Sequence, residues 1–309
     1  MFGVSIIICC YNSAKRLPDT LRIISQINQQ NDIPWEVIVV DNISTDNTAE
    51  VAEIEWNKYE MDSVDFSIVS EHNAGLNYAR RKGAISAKYS WLLYCDDDNW
   101  LDADYLLNFK NIINEHSELK MVCCGIAEAV FEKQPNKWFY NYQHLCVIFN
   151  ILDYGYNIRI SKHKADGCDV CGAGMFILKN LVMDYFTSQK HMILDRTGKK
   201  LNSGGDTDLV NYFLSKNYEI GQFSSLIIKH FIPQVRTTRK YIFRLTEGIS
   251  YSTGLISYKQ NLYIKRANLL ILSKDFIGHI IRLNFFKSAL VIGRHLGWQR
   301  AYSEISNSK

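Results

Sequence analysis

The sequence predicts an α/β fold, a doubly wound and mostly parallel sheet with helices on both faces, followed by a mainly helical C-terminal extension. Three observations predict it. Short continuous apolar runs, the mark of strands buried on both faces, alternate with segments whose apolar residues recur at helical spacing. Polar residues able to bind or react fall directly after those runs, at the carboxyl ends where open parallel sheets hold their ligands. A chain of 309 residues, 47% hydrophobic and 22% charged, is also large enough to bury a sizeable core.

The elements follow in order. Val4–Cys10 is a continuous apolar strand, and "NSAKRLPDTLRIISQINQQ" after it is helical through Leu17, Leu21, Ile24 and Ile27. The second strand is "WEVIVVDN". "STDNTAEVAEIEWNKY" then offers a cap at Ser44 or Thr45 and a helix, "FSIVSE" is a third strand, and "AGLNYARRKGAISA" is a helix. Trp91 to Cys95 is the fourth strand. Beyond Asp102 come a helix over 103–116, the strand "KMVCCGIAEAVF", an aromatic segment beginning at Trp138, and a return to strand from Gly172. The loop "LNSGGDTDL" opens a further helix, and the strand "SSLIIKHFIPQVR" contains His230. No internal repeat or low-complexity linker interrupts the chain, so its halves are expected to share one sheet.

Tyr11 and Asn12, Asp41 and Asn42, Glu71 to Asn73, and Asp96 to Asn99 therefore converge on one sheet edge. In "SWLLYCDDDNWLD" an extended backbone would point Asp96 and Asp98 to the same side, a pair of hard oxygen ligands for a cation. A solvated acidic turn is the alternative reading. No Gly-x-Gly-x-x-Gly follows the first strand and no Gly-Lys-Ser/Thr occurs, which speaks against a dinucleotide fold and a P-loop.

The eight cysteines sit mostly in apolar runs and are expected to stay reduced; Cys168 and Cys171 have the spacing of half a zinc site, without a second half. Met1 runs almost directly into a strand with no secretory leader, so the reading expects a cytoplasmic protein. Residues 229–309 hold fourteen Lys or Arg against three acids, a balance of +11 that leaves −8 for the rest of a chain whose net charge is +3. Such a tail suits peripheral contact with an anionic inner membrane surface, packing on the domain, or a dimer contact. No nucleic-acid motif accompanies it, and no apolar run reaches the length of a membrane span.

Four segments, "VSIIICCYNSAKRLPDTLRII", "EVIVVDNISTDNTAEVA", "HNAGLNYARRKGAISAKYSWLLYCDDDN" and "SGGDTDL" with the later "KHFIPQVR", resemble in order and spacing the family 2 glycosyltransferases of GT-A fold, over roughly residues 4–250. The resemblance implies a nucleoside-diphosphate sugar donor, most often a UDP-sugar, inversion at the anomeric carbon, and a glycan or lipid-linked glycan acceptor in bacterial surface-polysaccharide assembly. It divides the chain into a nucleotide-sugar half (1–102), an acceptor half (103–235) and a basic, aromatic extension (236–309). By the same resemblance Tyr11 and Asp41 hold base and ribose, with Asn12, Asn42 and Asn73 beside them. Arg80 lies near the nucleotide, although Arg80 and Arg81 could equally form a solvated helix face.

Asp96 and Asp98 match the Asp-x-Asp motif. The resemblance implies that Asp98 binds Mg²⁺ or Mn²⁺, that Asp96 touches ribose or metal, and that Asp97 joins the donor-binding set. His230 resembles the late histidine that completes the metal site, or is simply packed. Asp206 matches the catalytic base, with Asp208 as runner-up and helix capping as its structural alternative. Gly205 stands where the family often has Glu. Gly172 and Gly174 resemble an acceptor-side turn. A nucleotidyltransferase would want a glycine-rich loop where Cys10 to Arg16 has none. A cation-binding scaffold built on Asp41 to Asp46 fails the EF-hand pattern at Ile43.

Overall fold

The structure is a computed structural model that describes residues 1–28, 32–163, 170–188, 193, 195–196, 200–260 and 285–307. Its first half runs β1 (Val4–Cys10), α1 (Leu17–Ile24), β2 (Trp35–Asn42), α2 (Thr48–Trp56), β3 (Asp65–Glu71), α3 (Leu76–Ser86) and β4 (Trp91–Asp96). Then follow β5 (Asn99–Leu101), α4 (Tyr105–Glu115), β6 (Leu119–Phe131), β7 (Phe149–Asn150), β8 (Ile158–Ser161), β9 (Met175–Leu178), α5 (Lys179–Ser188), α6 (Gly205–Ser215) and β10 (Glu219–Ile232). Two long helices, α7 (Arg239–Lys259) and α8 (Phe285–Asn307), form the C-terminal extension.

All ten strands belong to one sheet, in the order β3-β2-β1-β4-β9-β6-β10-β5, with β7 on β6 and β8 on β10. The pairs β1–β2, β2–β3, β1–β4 and β6–β10 are parallel, whereas β9 runs antiparallel to both β4 and β6. The expected α/β architecture is thus present, and its apolar runs are explained by burial on both faces. Ile6 and Ile8 of β1 pack with Leu17, Leu21 and Ile24 of α1 on one side, while Ile7 faces Ala79, Ala84, Leu92 and Phe213 on the other. At roughly 1.5–3 kcal/mol for each fully buried large aliphatic side chain, these two layers hold the sheet in place.

Three local expectations are corrected. The helix after β2 starts at Thr48 rather than after Ser44 or Thr45, because those two residues hydrogen-bond to Asn12 instead, and Asp46 accepts the Thr48 N–H. Asn99–Leu101, which carried no strand signal of its own, pairs antiparallel with β10 and sets His230 opposite Asn99. The last strand begins earlier than expected, at Glu219, and ends at Ile232, where Pro233 removes a donor and a 3₁₀ turn, Gln234–Thr237, takes over.

The seven described cysteines are free thiols, and Cys168 of the half zinc site lies outside the described residues. In the extension, α7 and α8 pack closely in the same direction: Gly293 meets Phe243, Gly297 meets the Glu247 carbonyl, and Gly254 meets Ala301. Arg300 pairs with Glu247, donates to Asn202 and lies 3.9 Å from the centroid of the Tyr251 ring. A third cluster, with Phe139, Ile232, Ile242, Leu245 and Leu290, fastens both helices to the end of the sheet. Packing therefore holds the described helices of the basic tail on the sheet; residues 261–284 lie outside the described residues. No described helix is long and apolar enough to cross a membrane.

A Cβ on Gly297 would overlap the Glu247 carbonyl. Gly297→Ala should therefore cost about 1–3 kcal/mol and lower the melting temperature by several degrees, as followed by circular dichroism. An unchanged midpoint would mean that α8 does not lie against α7.

Candidate active site

The strand ends do gather on one edge, but their side chains divide the work. Tyr11 is 50% exposed at the end of β1. Asn12 adopts a left-handed backbone (φ 51°); its Oδ1 accepts the Thr45 N–H (2.7 Å), and its own N–H donates to Ser44 Oγ (3.0 Å). Asp41 Oδ1 accepts the Ser44 N–H (3.1 Å). Between these residues Ile43 is held at φ 59°, an uncommon conformation for a β-branched residue. Asn42 is buried and knits β2 to the β3–α3 loop: its amide donates to the Asn73 and Glu71 carbonyls, and its Oδ1 accepts the Gly75 N–H. Asn73 in turn donates twice to Glu71 Oε1. Asn12 and Asn42 thus fasten the loops at this edge to one another, while the Tyr11 side chain stays exposed beside them.

The acidic run splits three ways. The chain turns at Asp97 and Asp98 to enter β5, so the same-side argument for Asp96 and Asp98 fails: strand alternation ends at Asp96. Asp96 is half-buried, and its carboxylate accepts no hydrogen bond among the described residues. Burial pushes its pKa up to about 6, with Arg80 pulling the other way. Asp97, expected with the donor-binding residues, points elsewhere. It pairs with Arg16, accepts from Ser13, and its carbonyl takes the Thr20 hydroxyl, so it fastens α1 to the end of β4.

Asp98 is buried with Arg236 Nη2 at 2.8 Å and His230 Nε2 at 3.6 Å. Burial alone would raise its pKa, but the guanidinium of Arg236, with Arg16 behind it, holds it below the usual carboxylate value. His230 Nδ1 lies 3.4 Å from the Val147 carbonyl, and Arg236 Nη1 lies 3.2 Å from Nε2. This network assigns the proton to Nδ1 and leaves the Nε2 lone pair to accept from Arg236. Burial, the main cause, lowers the His230 pKa and keeps the ring neutral.

Asp98 and His230 offer the oxygen and nitrogen donors that divalent cations take, with the Val147 carbonyl setting the histidine tautomer, but the Arg236 guanidinium occupies both and a cation would have to displace it. Among the described residues no three His, Cys, Asp or Glu side chains form a complete cage. A cation here would take its remaining ligands from substrate and water.

Asp206 stands in the first turn of α6, with Oδ1 paired to Arg80 and Oδ2 accepting the Gly172 N–H (2.8 Å). Its side chain is 26% exposed, whereas that of Arg80 is 3% exposed and stacks 5.4 Å from the centroid of the Tyr94 ring. The solvated-face reading therefore holds for Arg81 but not for Arg80, whose guanidinium is engaged by Asp206. Asp206 does not cap its helix. Asp195 does so, its two oxygens accepting the Gly204 and Gly205 N–H groups (2.8 and 2.7 Å).

Asp195 is 3% exposed, and burial, then the charge of Asp206, pushes its pKa up to about 7. Sequence reading missed it because it lies eleven residues before the base without a motif; an acid upstream of a double-glycine helix start was its only signal. Asp208, the runner-up base, is buried between the Tyr185 hydroxyl (2.7 Å) and Lys259 Nζ (2.6 Å) and does not reach the cleft. A Cβ on Gly172 would collide with both Arg80 and Asp206, so the close approach requires glycine there. Gly174, at φ 68°, packs against the Tyr105 hydroxyl.

Comparison with known proteins gives a consistent picture. A family model described as glycosyl transferase family 2 matches residues 5–186. A cholesterol galactosyltransferase of Borreliella burgdorferi is 33% identical over 105 residues, 34% of this chain and 27% of the relative. A 4,4'-diaponeurosporenoate glycosyltransferase of Staphylococcus haemolyticus is 28% identical over 199 residues, 61% of this chain and 47% of the relative. The chain thus matches less than half the length of these curated relatives. A mannosyltransferase from Pyrobaculum calidifontis, solved with GDP-Man and Mn²⁺, shares the fold with a TM-score of 0.55 over 99% of this chain and 75% of its own, at 14% identity.

The three acids are separable by experiment. Asp97→Asn breaks a mostly buried pair and should cost about 1–3 kcal/mol, less than a fully dry pair because Arg16 is 28% exposed. Asp96 is raised in the folded chain, so its contribution to stability falls as pH rises from about 4, the unfolded value, to about 6. At pH 8 Asp96→Asn should therefore leave the melting temperature unchanged or higher. Equal melting losses in the two variants would overturn this division.

Proposed function

The chain belongs to glycosyl transferase family 2, and from that premise we propose that it moves one sugar, with inversion, from a nucleoside-diphosphate sugar to an acceptor hydroxyl. The proposed donor is a UDP-sugar. The proposed acceptor is a glycan or lipid-linked glycan of a bacterial surface polysaccharide. The single observation that carries the reading is the Asp206 carboxylate: held on one side by Arg80 and the Gly172 N–H, open on the other, and close enough for its charge to act on Asp96 at the donor edge.

An alcohol is too weak an acid to attack unaided, so a fixed carboxylate must take its proton as the bond to the anomeric carbon forms. Asp206 has lone pairs left for that proton after serving Arg80 and Gly172. Arg80 orients it, and Asp195 holds the helix start from which it projects. Inversion follows when the hydroxyl attacks from the face opposite the departing diphosphate, with the base on the attacking side. Tyr11 and Asp41 would receive base and ribose beside Asn12, Asn42 and Asn73. Asp98 and His230 would hold Mg²⁺ or Mn²⁺, with Asp96 beside them. The cation, when bound, neutralises charge on the leaving diphosphate. That the mannosyltransferase was solved with GDP-Man and Mn²⁺ supports a nucleotide-sugar donor and a divalent cation for this fold.

The test is release of nucleoside diphosphate from a panel of nucleotide sugars in the presence of Mn²⁺. Chelation should abolish it. Asp206→Asn should lower kcat by about 10² to 10⁴ while donor KM changes little, as expected for a lost general base. Asp208→Asn should also lower the melting temperature, since it breaks the buried contacts with Lys259 and Tyr185, as Asp206→Asn does by stranding Arg80, but it should leave kcat within a few-fold. If Asp206→Asn keeps more than about a tenth of wild-type turnover where chemistry limits the rate, the base assignment is wrong.

A further inference from the structure

Beyond the carboxyl ends of β6 and β10 opens a polar cleft of about 870 Å³, lined by two loops that include Lys133, Lys137 and Trp138 on one side and Thr237, Thr238 and Arg239 on the other. Because β9 runs antiparallel to both β4 and β6, the cleft lies on the same sheet edge as Asp41 and Asp96. It adjoins the Asp98 site directly: Arg236, which pairs with Asp98, belongs to the Gln234–Thr237 turn that forms one wall.

The charge of this cleft is unbalanced. Lys133, Lys137 and Arg239 are exposed on the walls of the cleft, and none of them has a carboxylate within ion-pair distance among the described residues. The neighbouring acid, Glu132, is committed to the Gln234 N–H at 2.7 Å. Arg239 is not a loose surface side chain. Its guanidinium lies 5.5 Å from the ring centroids of both Trp138 and Phe286, which fixes its direction before any ligand arrives. The 21-residue helix α7 also begins here, with Thr238 as its cap, so its positive end faces the same space. Three like charges around one cavity repel one another, and an anion removes that repulsion. A neutral sugar hydroxyl would not need them.

We propose that this cleft is the acceptor's anchoring subsite and receives a phosphate or diphosphate group carried by the acceptor. The assignment rests on the transferase reading above for the word acceptor, but the anion site itself can be tested without it. The phosphate can belong to a soluble phosphorylated polyol or to a lipid carrier at a membrane surface; the chemistry recognised is the same.

The 309-residue protein, first saturated with UDP and Mg²⁺ so that any donor diphosphate site is filled, is titrated calorimetrically with glycerol 3-phosphate in the same Mg²⁺ buffer at low ionic strength. In a parallel arm it is sedimented with phosphatidylcholine vesicles containing a tenth phosphatidic acid, with pure phosphatidylcholine as blank. The expected result is binding in at least one arm, weakened about tenfold or more in the Lys133→Ala/Lys137→Ala variant and retained in Lys133→Arg/Lys137→Arg, with UDP affinity within twofold of wild type throughout. Binding in the first arm assigns a soluble acceptor phosphate, and binding in the second alone a membrane-borne one. Absence of binding in both arms, or binding undiminished in the alanine variant, overturns the proposal. Failure of the wild-type protein to bind UDP would instead count against the transferase reading, and the phosphate titration is then read without nucleotide.

Discussion

A guanidinium at 2% exposure must have an anion beside it, and Arg80 finds one in Asp206, which comes from a helix 126 residues further along the chain. Removing one partner of a buried pair strands the other and typically costs about 3–5 kcal/mol. The surrounding structure is arranged so that neither partner can move. Tyr94 lies under the guanidinium, Gly172 approaches the pair as only a residue without a side chain can, and Asp195 fixes the two glycines that lead into the helix carrying Asp206. Asp206, the proposed base, is therefore positioned by the same contact that ties α3 to α6, and fold stability and site geometry cannot be altered separately here.

The three consecutive aspartates show how one sequence motif is divided by its backbone. Asp97 is spent on the fold through Arg16 and Ser13, Asp98 is balanced by Arg236 beside a neutral histidine, and Asp96 alone keeps an unsatisfied, half-buried carboxylate whose pKa reaches about 6. Their mutual repulsion is relieved chiefly by two arginines from opposite ends of the chain, Arg16 and Arg236. Arg236 takes part through a turn that begins where Pro233 ends a strand.

Much of this was legible in the sequence because it rests on patterns with strong physical cause. Strands buried on both faces must be continuously apolar, so β1, β2 and β4 could be bounded almost to the residue, and the strand-end rule gathered Tyr11, Asp41 and Asp96 correctly on one edge. What failed was finer geometry. Strand alternation could not foresee a turn at Asp97, since three acids in a row fit a strand end and a turn equally well. Asn99–Leu101 is too short to carry a periodic signal, yet its pairing with β10 brings His230 to Asp98. Capping by Ser44 or Thr45 was a sound local expectation that lost to tertiary contacts with Asn12. Asp195 and Arg236 were unreadable as site residues, because their roles arise only when distant segments meet.

The narrowness of β9 has a mechanical consequence. This four-residue strand joins the two halves of the sheet, and its ladder to β6 consists of only two residue pairs, Met121 with Ile177 and Val122 with Phe176. A short ladder opens more readily than a long one such as that between β6 and β10, although both core layers run across it, from Ile6 and Ile7 of β1 to Val122 and Phe213. Amide hydrogens along that short ladder should exchange with solvent through sub-global opening, ahead of those in β1 and β2. Because Gly172 lies just before β9, transient parting there loosens the contact that holds Asp206, so the lifetime of the assembled site depends on this ladder as well as on global unfolding.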